Sequence, residues 1–240
     1  MRYLEHLRAD SARLGEVARA GLGAAVPNCP GWTVDDVLRH VAQVYVHKVE
    51  VLKLGALPDP WPPDFSGLDS LQWYDDARHA IVDALESAGT TRPSWTFNPR
   101  DSTSAFWYRR MAHETVVHRI DVEQAHDVVT PIDPELALDG IDEVLYPTLG
   151  GPWWEEGDTE FPLDSAIRLT AAGRSWTVVA DATSVDVRQG ADGEVSAEVT
   201  GDPGDVYLWL WGRAGEHAIE IAGDADVVRA FRGRLSEASQ

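Results

Sequence analysis

Cysteine is almost missing from this chain: Cys29 is the single thiol in 240 residues. An intrachain disulfide is therefore impossible, and the composition suits a reducing compartment. Positive charge is scarce as well. Twenty Lys and Arg stand against forty Asp and Glu, a formal net charge of -20 at pH 7, and no basic run interrupts the acidic background. Such a surface repels phosphate backbones, so nucleic acid and anionic membrane are not expected partners. Charges recur every few residues from Met1 to Ala25, which leaves no secretory core. No uncharged stretch approaches the roughly 20 apolar residues that a membrane span needs. The chain is expected in the cytoplasm. It also has no Gly-x-Ser-x-Gly elbow, no Walker loop and no dinucleotide glycine pattern, so nucleotide chemistry is unsupported. Cys29 has no histidine close in sequence to act as its base, and packing beside the Pro30-Gly31-Trp32 turn is expected of it rather than nucleophilic chemistry.

What the chain does have is enough apolar material, 44% of its residues, for one large domain or two modest ones. Two patterns divide it. Residues 1–150 read as helices: Tyr3 to Leu22, Thr33 to Leu54, Leu68 to Ala88, Ser102 or Thr103 to His126, and Pro134 to Tyr146 ending before Pro147. After Gly150-Gly151-Pro152-Trp153-Trp154 the period changes to two. Residues 151–240 read as strands over Ala166–Thr170, Trp176–Ala180, Ser184–Arg188, Glu194–Thr200 and Ala218–Ile221, with helices after Asp202 and from Asp224 to Ser236. The expected class is α+β in two domains, a helical bundle followed by a small mixed domain.

The chemistry-bearing residues gather in Ala112-His113-Glu114-Thr115-Val116-Val117-His118-Arg119. On a helix, Glu114 and His118 are one turn apart and can share a divalent metal if a third ligand comes from elsewhere. The candidate is His40. It follows a helix start with Thr33 as N-cap and Asp36 near the capping-box position, beside an apolar stripe of Val34, Val37, Leu38, Val41, Val44 and Tyr45. Two imidazoles and a carboxylate suit zinc and leave a position open for water or substrate. The alternative is a metal-free Glu–His hydrogen bond.

Neighbouring polar residues divide into roles by spacing. His113 precedes His118 by about 500° of helical turn, so it points elsewhere and reads as a packing or supporting histidine. His47 lies about 10 Å along the helix from His40, too far to be a co-ligand; it lines the space above the metal or sits on the surface. Asp36 and Asp121 each either orient a ligand imidazole or serve ordinary capping and surface roles. The proline-rich connection Pro58–Pro63 is a rigid linker or a lid.

Asn28-Cys29-Pro30-Gly31-Trp32-Thr33-Val34-Asp35-Asp36-Val37-Leu38-Arg39-His40, together with His113-Glu114-Thr115-Val116-Val117-His118-Arg119-Ile120-Asp121, resembles the mycothiol-dependent maleylpyruvate isomerase family. The likeness spans nearly the whole chain. It implies a DinB-like four-helix bundle with an extra helix over 1–150 and a sterol-carrier-like α+β domain over 151–240, the latter through Asp202-Pro203-Gly204-Asp205-Val206-Tyr207-Leu208-Trp209-Leu210-Trp211-Gly212-Arg213. It also implies a divalent metal, typically zinc, on His40, Glu114 and His118, with the small thiol mycothiol as co-substrate. The implied activity is isomerisation of, or S-transfer to, a small electrophile. A non-catalytic metal- or ligand-binding protein of the same fold is the alternative. Arg213 resembles a family arginine and is the candidate catalytic residue for an anionic substrate; otherwise it is a helix C-terminal cation. Trp209 and Trp211 either roof an apolar pocket or pack a core.

Overall fold

The computed structural model describes residues 2–152, 154–155, 157 and 159–238. Trp153 of the Gly-Gly-Pro-Trp-Trp break lies outside them. The chain forms two compact units, Met1–Thr130 and Pro131–Gln240.

The first unit is a four-helix bundle: α1 (Tyr3–Ala18), α2 (Val34–Leu54), α3 (Ser70–Ala88) and α4 (Ser104–Ala125). Helix α1 packs chiefly on α4 and α2 on α3, with α2 also lying along α4. Local chemistry sets the helix ends. Thr33 and Asp36 form a reciprocal capping box at the start of α2, and Gly55, at φ 70°, closes it in the left-handed conformation that glycine takes without strain. Asp69 caps α3 by accepting from the Gln72 N–H. Helix α1 stops before the expected Leu22, because the N–H groups of Arg19, Ala20 and Gly21 bond three residues back and tighten the chain into a turn.

Large side chains fill the bundle, and their polar atoms are answered inside it. Tyr45, Tyr74 and Trp107 have no exposed surface. The Tyr45 hydroxyl lies 2.5 Å from Thr115 Oγ1, Tyr74 donates to the Ser11 carbonyl at 2.8 Å, and the Trp107 indole donates to the Trp95 carbonyl at 2.9 Å. Buried polar groups left unpaired would each cost about 1–3 kcal/mol.

The second unit opens with α5 (Pro134–Glu143), capped by Asp133, followed by a π-helical segment over Val144–Leu149. Its sheet comprises β1 (Ser165–Ala171), β2 (Arg174–Ala180), β3 (Val185–Gln189), β4 (Ala197–Gly201) and β5 (Glu220–Gly223), in the order β3-β2-β1-β4-β5. Strands β1 and β4 run parallel and the other pairs antiparallel. The β1–β2 hairpin turns on Ala172 and Gly173, both at positive φ, as a two-residue primed turn requires. Helices α6 (Pro203–Leu210) and α7 (Ala225–Ala238) complete the unit. Trp209 is buried, its ring stacked on Phe231 at 6.1 Å.

Three details depart from the pattern read in the sequence. The compact units divide at Thr130 and Pro131, upstream of the change of period at 150, because α5 packs on α6. The chain does not break before Pro147; widened π turns carry it through that residue, which has no N–H to donate. Strand β4 begins only at Ala197, and a short 3-10 turn over Glu216–Ala218 replaces the expected start of the last strand. Among the described residues, no helix is long and apolar enough to cross a membrane.

Close packing of α5 on α6 makes a direct prediction. A methyl group at Gly140 would lie 2.3 Å from the fully buried Tyr207 ring. Gly140→Ala is therefore expected to lower unfolding stability by about 1–3 kcal/mol, against the gain alanine normally gives in a helix. At Gly204 in α6 an added methyl meets nothing within 4 Å, and Gly204→Ala is expected to be neutral or stabilising. Urea unfolding of both variants checks the contrast.

Candidate metal centre

Helices α2 and α4 bring together the three side chains that the sequence singles out. One donor atom each from His40, Glu114 and His118 lies within 4.8 Å of the others. Glu114 Oε1 is the shared point, 3.2 Å from His40 Nε2 and 3.3 Å from His118 Nε2. Tetrahedral zinc with bonds near 2.1 Å separates its ligands by about 3.4 Å, close to both distances from Glu114 Oε1. His40 keeps 38% of its side chain exposed, whereas Glu114 and His118 keep 11% and 10%. The cluster is thus buried on the α4 side and reachable on the α2 side.

Each member is held by further contacts. Asp121, fully buried, accepts from His118 Nδ1 at 2.9 Å and so directs Nε2 toward Glu114. The same Asp121 oxygen accepts from the Cys29 thiol at 3.7 Å, which gives Cys29 a bonding role beside the cluster. Arg110, one turn before Glu114, donates to its second oxygen. The Trp32 ring lies 5.2 Å from that of His40, brought there by Gly31 at φ 84° in the preceding turn.

Electrostatics follow from these contacts. Burial alone would raise the Glu114 pKa, but the Arg110 charge and hydrogen bonds from His118 and His40 outweigh it and hold the carboxyl well below its ordinary range. Burial likewise disfavours charged His118. Hydrogen bonds to Asp121 and Glu114 and the charges of both reverse that, raising it to about 9. The metal-free centre is a carboxylate surrounded by proton donors, and a metal would have to displace the His118 proton.

Other residues separate as follows. Asp36 belongs to the α2 cap, accepting from the Thr33 N–H at 2.8 Å and hydroxyl at 2.7 Å, and takes no part in the cluster. His113 is fully buried with its ring edge-on to Tyr3. His47 meets the proline-rich connection, its ring 4.7 Å from Trp61. Arg213 lies in the second unit just beyond α6, where it donates to the Trp211 carbonyl at 2.7 Å. The sequence reading missed Arg110. It had a visible signal, since it stands four residues before Glu114, the spacing of a helical ion pair.

Two family models match the chain. Residues 4–123 match the "Mycothiol maleylpyruvate isomerase N-terminal domain" and residues 135–230 the "MDMPI C-terminal domain". Among solved structures, the chain resembles a mycothiol-dependent maleylpyruvate isomerase with a TM-score of 0.65 at 12% identity, over 93% of each chain. A mutant of a mycothiol-dependent maleylpyruvate isomerase gives 0.63 at 12% identity, again over 93% of each chain. At this identity the likeness establishes the fold. Curated protein sequences gave no match.

The His118 environment predicts a pH signature for the metal-free protein. Its folded pKa of about 9 lies above the unfolded value of about 6.5. The stability it contributes is therefore complete below pH 6.5 and lost as pH rises through 9. Asp121→Asn removes the carboxylate charge that favours the imidazolium and weakens its hydrogen bond to His118 Nδ1. The stability difference between wild type and Asp121→Asn, from urea unfolding at a series of pH values, should shrink across that window; a difference that stays flat or grows contradicts the assignment.

Proposed function

Since the chain belongs to the mycothiol-dependent maleylpyruvate isomerase family, we propose that it is an enzyme that uses a small thiol and a divalent cation, zinc by donor set, on a small electrophile. The cation is assigned to His40, Glu114 and His118. The supporting observation is the convergence of those three donors, with His118 oriented by Asp121 and His40 still open to solvent.

When bound, the cation supplies Lewis acidity that lowers the pKa of an approaching thiol. The three side chains bring only one negative charge, that of Glu114, so a dication held by them keeps a net positive field that favours thiolate over thiol. Arg110 fixes the second Glu114 oxygen and limits how that carboxylate can turn. In the isomerisation, the sulfur adds to one carbon of a conjugated cis double bond, and the π pair moves onto the adjacent carbonyl. The resulting single bond rotates, and the pair returns as the C–S bond breaks, releasing the thiol unchanged. S-transfer ends instead with the new C–S bond retained and a proton or leaving group exchanged at the electrophile. Arg213 enters the proposal as a cation for an anionic substrate. A reduced thiol co-substrate and a chain with a single cysteine suit the cytoplasm.

Elemental analysis of purified protein should find about one metal per chain, lost in His40→Ala and in Glu114→Ala, with calorimetric binding of mycothiol lost alongside it. Metal that survives both substitutions, or thiol binding without metal, would favour a non-catalytic ligand-binding protein of this fold.

A further inference from the structure

In the second unit, α7 carries a guanidinium that is shut away from water: Arg234 is 1% exposed. Its Nη1 donates to the Asp181 carbonyl at 2.9 Å, in the turn between β2 and β3. Its central carbon lies 4.0 Å from the centroid of the Trp154 ring, which covers one face of the group. The indole of Trp154 is itself pinned, donating to the Leu149 carbonyl at 2.7 Å. Nε and Nη2 of Arg234 are buried and have no hydrogen-bond partner among the described residues.

The two unanswered nitrogens are a particular pair. Their N–H bonds run parallel along one edge of the planar guanidinium, the fork that meets both oxygens of a carboxylate or phosphate at once. The carboxylates whose charge Arg234 feels, Glu237 and Asp181, are engaged elsewhere. Glu237 accepts from the Thr159 hydroxyl at 2.5 Å and from the Glu160 N–H at 2.9 Å. Asp181 accepts from the Thr183 and Ser184 N–H groups, each at 2.8 Å. A water molecule answers an N–H group but not a charge. A buried cation is costly unless an anion matches it, and buried donors left unpaired in a folded chain call for a partner.

We propose that Arg234 is the base of an oxyanion-binding site in the second unit, taking two oxygens of a carboxylate or a phosphate on its Nε and Nη2 edge, with the Trp154 indole as its cover. Both donors are shielded from solvent, so the oxyanion enters with movement of a covering side chain, and Trp154 is placed to report it. A halide offers one centre and cannot meet both N–H groups in line, so the fork selects against chloride. The site shares no residue with His40, Glu114 and His118 and does not rest on the thiol-dependent reading.

The test is titration of the purified full chain with phosphate and, separately, with acetate, at an ionic strength held constant with chloride, followed by calorimetry and by 15N NMR. The indole N–H resonance of Trp154, assigned through Trp154→Phe, should shift and saturate at one oxyanion per chain. Arg234→Lys keeps the charge but loses the fork and should weaken binding about tenfold. Arg234→Gln should abolish binding, and it replaces the lysine variant should that one not fold. Tighter binding of phosphate identifies a phosphoryl ligand, and tighter binding of acetate a carboxylate. Binding should survive His40→Ala, which separates it from any anion held at the metal centre. The proposal is overturned if wild type shows no saturable shift, if binding survives Arg234→Gln, or if it is lost with His40→Ala.

Discussion

A carboxylate set between two helices of a bundle must have its charge answered, and Glu114 has it answered from several directions. Arg110 holds one oxygen, while His40 and His118 approach the other. Without those partners its burial would drive the carboxyl toward its neutral form. With them it stays ionised and draws both imidazole Nε2 atoms to one point. That arrangement fixes the register of α2 against α4 at the centre, and the contacts of Asp121, Cys29 and Trp32 serve to hold it.

The bundle around the centre is built so that α4 can carry an unusual load. Glu114, Thr115, His118, Arg119, Asp121 and Glu123 are all buried on this one helix. Each leans on a partner. Thr115 bonds the Tyr45 hydroxyl, and Arg119 donates to Glu123 at 3.0 Å. Arg13 reaches Glu123 from α1 at 2.9 Å. Charges at the far end of α4 thus tie it to α1, just beyond the turns where the donors converge. Rigid placement of ligands is what a metal site demands of its scaffold.

Much of this was legible in the residues. Thr33 and Asp36 announce the start of α2, the i,i+4 pair of Glu114 and His118 announces a shared face, and the apolar stripe beside His40 announces a neighbouring helix. The choice between Asp36 and Asp121 as the orienting carboxylate was not legible, because both stand at suitable spacing from a histidine. Only the packed structure commits Asp36 to the cap and Asp121 to His118. The placement of α5 was hidden for a similar reason. Its pattern is as helical as that of the four helices before it, and what assigns it to the second unit is the fit of Gly140 against Tyr207, a contact between residues far apart in sequence.

The central claim is that His40, Glu114 and His118 hold one cation with a position left for a thiol. Cobalt(II) substitution tests it in a single spectrum, since tetrahedral cobalt absorbs strongly in the visible and a thiolate ligand adds a charge-transfer band in the near ultraviolet. The account predicts a tetrahedral spectrum for the cobalt-loaded chain, a new sulfur-to-cobalt band when mycothiol is added, and neither in Glu114→Ala. A cobalt spectrum indifferent to mycothiol, or one retained without Glu114, would contradict it.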